Sequence, residues 1–196
     1  APGGMVSQYL PLHKLRQQDF SGIIKTFHSV FPDATVWLGL NHAVLLSGAG
    51  NINFQEWTKR IASLNKDPYF YSNPYHLAAN LIFDSIQIAG FSDNLRINTD
   101  NRSYTEFFRL SAFDENNFPN NLNFVNTHRA NVFRVFNQIP DSAMMHRFVQ
   151  GNRLLTEGLY ANLSGDRARF RHKLMEAIKA NPANEELPFL LRFYFQ

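Results

Sequence analysis

The chain has 196 residues, 44% of them apolar and 18% charged, so it can bury a core and is not a disordered segment. It contains no cysteine, which excludes a disulfide framework, a thiolate zinc site and a cysteine nucleophile. The net charge of +3 comes from dispersed basic residues, which does not favour nucleic-acid binding, and the longest apolar runs, such as 43–46, fall far short of the roughly 20 residues of a membrane span.

Pro2-Gly3-Gly4 is a turn signal, and a short apolar strand over 5–10 follows it. A protein seldom begins by turning into an interior strand, so this start reads as a cut, with earlier strands expected on polypeptide outside the sequence. Phe20, Ile23, Ile24, Phe27 and Phe31 form one stripe at the helical period and predict a helix over 16–31, stopped by Pro32. Strands over 35–40 and 43–47 flank Asn41-His42, short enough for a tight hairpin. Strand, helix, strand and hairpin strand in that order predict a parallel pair with a crossover helix, closed by one antiparallel strand.

A helix is predicted over 54–64, with Asn53 as cap, Glu56 at the third position and Phe54, Trp57, Ile61 and Leu64 as its buried face. Another is predicted over 74–89, with Asn73 as cap, Pro74 in the first turn and Gly90 just past the end. Residues 97–102 read as a polar loop, 103–110 as a short extended segment and 111–125 as linker or loop, Asn-rich around 116–121.

From 126 onward the pattern predicts helices only. Ala130, Phe133 and Phe136 mark one face, closed by Pro140; helices over 141–163, 167–180 and 185–195 follow, the first ended by Ser164-Gly165 and the second by Asn181-Pro182. Arg167, Arg169, Arg171, His172 and Lys173 alternate with Ala168 and Phe170, which fits the solvated face of a helix better than a phosphate-binding stripe. Leu154, Gly158, Gly165, Phe170, Leu174, Ala177 and Pro182 fall where a tetratricopeptide repeat of about 34 residues places its apolar, small and terminating residues. Residues 151–184 thus resemble one degenerate unit, with Glu157 and Ala161 departing from the consensus. A lone unit either binds a peptide or subunit, or simply pads a domain, and it should pack on the helices before and after it.

Familiar catalytic constellations are missing from the sequence. No pair of its seven histidines makes a zinc-protease motif, and neither a Gly-x-Ser-x-Gly elbow nor a Gly-Lys-Ser phosphate loop occurs. Met144-Met145-His146 reads as helix core with a flanking histidine rather than a soft-metal site.

Five segments carry a family resemblance: Pro2-Gly3-Gly4, Gln8-Tyr9-Leu10-Pro11-Leu12, Phe27-His28-Ser29-Val30-Phe31-Pro32, Val36-Trp37-Leu38 and the run from Asn98 to Phe107. In this order they resemble the spermidine synthase-like (aminopropyltransferase-like) family, in particular the bacterial type often fused to membrane segments. The match covers about residues 1–108, with Tyr9 in place of Trp, Asn101 in place of a second Asp and Ser103 in place of Pro. The glycine-rich loop, ribose-binding acid and catalytic Asp of that family lie upstream of the matched part, so no catalytic residue is assigned in this chain.

The resemblance implies an α/β remnant over 1–110, the C-terminal three strands of a methyltransferase-like sheet, followed by an all-α extension over 126–196. In that sheet order the hairpin strand lies between the other two, antiparallel to both, and the 5–10 strand keeps one edge bare. A bare apolar edge invites association, so the missing N-terminal part or a second copy is expected to cover it. The parent is expected to transfer an aminopropyl group from decarboxylated S-adenosylmethionine to an amine. The fragment alone is expected to be catalytically incomplete, to bind neither that cofactor nor S-adenosylmethionine, and to hold no metal. The implied substrate-binding residues are Gln8, Tyr9 and Asp100. For Gln8 the alternative is that it merely ends a strand, and for Asp100 that it bonds turn amides. The implied setting is a cytoplasmic, soluble domain of a parent anchored to membrane in some members. The alternative is a non-enzymatic interaction module, its sheet a catalytically dead scaffold and its helices binding a protein.

Overall fold

Alternating apolar residues in the first fifty positions set the register of a small sheet in the computed structural model, which describes residues 4–39, 41–48, 50–64, 73–92, 94–99 and 113–196. In chain order the elements are β1 (Ser7–Pro11), α1 (Gln17–Val30), β2 (Thr35–Leu38), β3 (His42–Leu46), β4 (Ile52–Asn53), α2 (Phe54–Leu64), α3 (Pro74–Ala78), β5 (Leu81–Phe83), α4 (Ser85–Ser92), α5 (Asn117–Thr127), β6 (Phe136–Asn137), α6 (Ser142–Leu163), α7 (Arg167–Ala180) and α8 (Glu186–Phe195). They form two compact units, one from residues 1–51 and 81–135, the other from 52–80 and 136–196. The fold is mixed α/β, with one small antiparallel sheet and helix predominating.

In the first unit the sheet order is β1-β3-β2-β5. Strand β3 lies between β1 and β2 and is antiparallel to both, with Leu45 opposite Gln8 on one side and Val36 on the other. Residues directly opposite share a face. Leu10, Ala43, Leu45, Val36 and Phe83 therefore line one side, and all five are buried. Helices α1, α4 and α5 bring Phe20, Phe91 and Phe124 against Phe83, at ring-centroid distances of 6.5, 5.0 and 5.8 Å. The stripe read from α1 is this buried face: Phe20, Ile24 and Phe27 lie in the core.

Two expectations for residues 74–125 are corrected. Residues 74–89 are not one helix: α3 ends at Ala78, β5 intervenes, and Gly90 lies inside α4. A short apolar run does not distinguish helix from buried strand. Here Leu81, Ile82 and Phe83 are all buried, the strand pairs antiparallel with β2, and Ala130 donates its N–H to the Ile82 carbonyl at 2.7 Å. The stretch 111–125 also carries regular structure, because α5 begins at Asn117. Buried Asn121 of α5 donates from Nδ2 to the carbonyls of Leu12 and Leu15, each at 2.7 Å, satisfying two backbone groups of the β1–α1 connection.

The second unit starts from a cap that matches its sequence signal: Asn53 Oδ1 accepts from the Glu56 N–H at 3.1 Å. Phe54 is buried and Trp57 and Ile61 are half-buried, while the side chain of Leu64 lies outside the described set. Phe54 packs against Trp57, Tyr75 and Phe136, and Tyr75 stacks on Phe148. The expectation of helices only after 126 is corrected over 128–140, where a 3-10 turn (Val132–Arg134) and β6 stand. Strand β6 pairs parallel with β4, so Phe136 is drawn into the aromatic cluster instead of a helix face.

Helices α6, α7 and α8 match their predicted bounds to within one residue. Asp141 and Asp166 accept from the N–H groups of Met144 and Arg169, and Gly165 takes φ +83°, the left-handed conformation that suits glycine. A Cβ at Gly158 would lie 3.1 Å from a ring carbon of Phe170, so glycine permits the close approach of α6 to α7. Ala161, Phe170, Leu174, Ala177 and Leu187 form the buried seam, with α8 packed on α7. Met145 is buried and His146 exposed, in keeping with a helix-core reading.

Candidate functional site

Of the three residues assigned to substrate binding, two are on β1. Gln8 lies on the core side of the sheet, two positions from buried Leu10, yet is itself exposed at the margin of that side. Tyr9 points to the opposite face, is 56% exposed, and tilts its ring against His42 at a centroid distance of 5.0 Å. Val44 opposite Tyr9, and Trp37 opposite Val44, continue the row across three strands. Gln8 and Tyr9 are neighbours in sequence but serve different faces, so one small ligand would meet both only by wrapping the strand edge.

Asp100 lies outside the described residues, as do Glu106 and the extended segment read over 103–110. Just before Asp100 the chain is anchored: the Asn98 N–H donates to Thr26 Oγ1 on α1 at 2.8 Å.

The edge of β1 away from β3 pairs with no strand among the described residues. On the β3 side the ladder is extended at both ends. Ser47 donates its N–H to the Val6 carbonyl at 3.0 Å, and Leu12 to that of Asn41 at 3.1 Å. Met5, Val6 and Tyr9 are exposed along this strand.

A titratable pair that no motif announced lies in the second unit. Asn73 caps α3 by accepting from the N–H groups of Tyr75 and His76. His76 Nε2 lies 3.4 Å from Glu186 Oε2 at the start of α8. Both side chains are largely buried, and the Phe148 ring meets the imidazole edge-on. Burial holds the imidazole below its usual pKa and the carboxyl above its own, favouring the neutral form of each. His76 Nδ1 is buried and has no hydrogen-bond partner among the described residues. Such a pair can share one proton across the contact. The two residues are far apart in sequence, so the sole local sign was the Asn73-Pro74 cap that starts the helix carrying His76.

Asp84, also buried, serves the structure: its Oδ1 accepts from the Ile86 and Gln87 N–H groups at the start of α4, and Arg134 approaches to 3.8 Å. Among the described residues no group of three or more metal-ligating side chains is assembled, and no helix is long and apolar enough to cross a membrane. Comparison with protein-family models, with curated proteins and with solved structures finds no match to this chain.

Proposed function

We propose that the first unit is the closing part of a methyltransferase-like sheet of the aminopropyltransferase-like kind, and that it contributes to a transferase site rather than forming one. The observation that carries this reading is the placement of β3 between β1 and β2, antiparallel to both. In a sheet of this kind the free edge of β1 receives the next parallel strand and the ligand lies beyond the carboxyl ends of such strands, whereas Gln8 is the second residue of β1 and so would meet it only from the strand's amino half. Gln8 offers an amide able to donate to or accept from an amine substrate or the adenosyl donor, and Tyr9 offers an aromatic face to a cation. The reaction would be displacement at the sulfonium-activated carbon of decarboxylated S-adenosylmethionine by an amine. The catalytic carboxylate and the adenosyl cradle would come from the polypeptide paired on β1. Strand β5, antiparallel on β2, extends the sheet by one strand beyond the three that the reading requires.

Calorimetry of the longest native chain containing these residues tests this. Uptake of decarboxylated S-adenosylmethionine, weakened by Gln8→Ala, is the expected result. Binding of neither that compound nor S-adenosylmethionine overturns the reading.

A second reading, a non-enzymatic interaction module, is favoured by the α6–α7–α8 stack, which buries its own seam and keeps aromatic side chains of α8 exposed.

A further inference from the structure

The bonds between β1 and β3 fix which backbone groups of β1 face outward. Ser47 donates its N–H to the Val6 carbonyl at 3.0 Å, the Val6 N–H donates to Ser47 Oγ at 2.8 Å, and Leu12 donates to the Asn41 carbonyl at 3.1 Å. In an antiparallel ladder, residues that bond the neighbouring strand alternate with residues that do not. Val6, Gln8, Leu10 and Leu12 thus turn their N–H and C=O groups toward β3. By the same alternation Met5, Ser7 and Tyr9 turn theirs to the free edge. Pro11, next in that series, has no N–H, and its carbonyl already accepts from the Lys14 N–H at 3.1 Å.

The outward row is therefore Met5, Ser7 and Tyr9, and it stops at a proline. No Asp, Glu, Lys or Arg occurs over 1–13, whereas exposed edges are commonly guarded by charge. Met5 is 62% and Tyr9 56% exposed, and Ser7 between them is exposed too. A strand that pairs with its own copy meets it antiparallel about a two-fold axis. With the axis at Ser7, every outward residue finds a partner: Ser7 faces the partner's Ser7 and Met5 faces the partner's Tyr9, each pair exchanging two hydrogen bonds. A shift of one residue sets outward groups against groups already bonded to β3, and a shift of two leaves fewer pairs within 5–9. The Ser7 register also sets the Met5 thioether beside the partner's Tyr9 ring, a favourable sulfur–aromatic contact. Only the small Ser7 side chain lies on the axis, and no like charges meet across it.

We propose that β1 pairs antiparallel with β1 of a second copy of this chain, two-fold symmetric about Ser7. The pairing joins two four-stranded sheets edge to edge. A contact made by residues 5–9 is well below the roughly 1,600 Å² of a standard interface, so the dimer is weak and forms as concentration rises. The proposal concerns the 196-residue chain and does not rest on the transferase reading; in a longer chain an upstream strand would compete for the same groups.

Sedimentation of the 196-residue chain from micromolar to millimolar concentration should show a monomer passing to a dimer. Ser7→Pro removes the N–H at the axis from each copy and leaves the bonds to β3 in place. It should weaken dimerisation by about thirtyfold, with far-UV dichroism retained. Because the chain has no cysteine, single cysteines read the register. In Ser7→Cys the paired Cα atoms stand about 5.5 Å apart, within disulfide reach, whereas in Met5→Cys they stand about 14 Å apart. Ser7→Cys should therefore cross-link on mild oxidation and Met5→Cys should not, a comparison that decides the matter even where Ser7→Pro fails to fold. A chain that stays monomeric throughout overturns the proposal. So does a dimer that survives Ser7→Pro in folded protein, or a Met5→Cys chain that cross-links as readily as Ser7→Cys. Each of these failures leaves the transferase reading standing, since that reading is judged on uptake of the adenosyl compound.

Discussion

The helical stack α6–α7–α8 and the sheet β1-β3-β2-β5 are held by contacts of different reach. The stack joins neighbours in sequence: α6 turns at Gly165 into α7, and α7 runs through Asn181 into α8. The sheet joins β2 to β5, some forty-five residues later, and α5 reaches back from Asn121 to Leu12, 109 residues away. Local contacts lose little loop entropy, whereas distant ones must be offset by burial and by satisfied polar groups. The first unit accordingly concentrates its stability in a few side chains, chiefly the Phe20, Phe83, Phe91 and Phe124 cluster and the Asn121 amide. The stack distributes its stability along a seam with a cap at the start of α6 and of α7.

That contrast can be broken at its most concentrated point. Phe20→Ala removes a fully buried ring from the meeting of α1, β5 and α5 and should cost about 3–5 kcal/mol. Denaturant unfolding measures it; a loss below about 1 kcal/mol would mean the cluster repacks. Asn121→Ala leaves the Leu12 and Leu15 carbonyls without their donor and should cost about 2–3 kcal/mol. Hydrogen exchange should show faster opening near residue 12 and unchanged protection in α6 and α7 if the units respond separately. In the stack, Gly165→Ala forces a side chain into a left-handed turn and should cost only about 1–2 kcal/mol, read as a lower melting temperature.

The smallest effect at neutral pH should come from the buried pair. The lowered His76 pKa means that, below the ordinary value of about 6.5, the unfolded chain binds more protons than the folded one. Its contribution is therefore fully present above that pH and lost as pH falls through it. The raised Glu186 pKa works in the opposite sense, its cost appearing as pH rises above about 4.5. His76→Gln should remove the acid-side part of the melting-temperature profile, and Glu186→Gln the neutral-side part. Parallel profiles for the variants and the parent would show that neither group senses the interior.

The same contrast explains which elements were legible. Asp141, Gly165 and Asp166 are local signals, and each marks a helix boundary where the residue type says it should. Asn53 and Asn73 likewise cap the helices they precede. Leu81-Ile82-Phe83 carried no such signal, because a three-residue apolar run takes its identity from the neighbour it meets, here β2. Asn-rich 116–121 read as loop because asparagine is usually solvated. Asn121 instead donates its amide to carbonyls that are in reach only once β1 and α1 are in place. Of the candidate site, Gln8 and Tyr9 were named from residue resemblance, whereas His76 and Glu186 meet only through the packing of α3 and α8, 110 residues apart.

By itself, then, the amino-acid order determined the cysteine-free, core-forming character of the chain, the apolar stripe of α1 and the bounds of the three C-terminal helices. Each of these depends on composition or on residues within a turn or two of one another. Only the tertiary structure decided that 81–83 is a strand, that 117–127 is a helix pinned by one amide, and that an imidazole and a carboxyl share a buried contact. In each case the deciding free energy is desolvation against a distant partner, which no local pattern encodes.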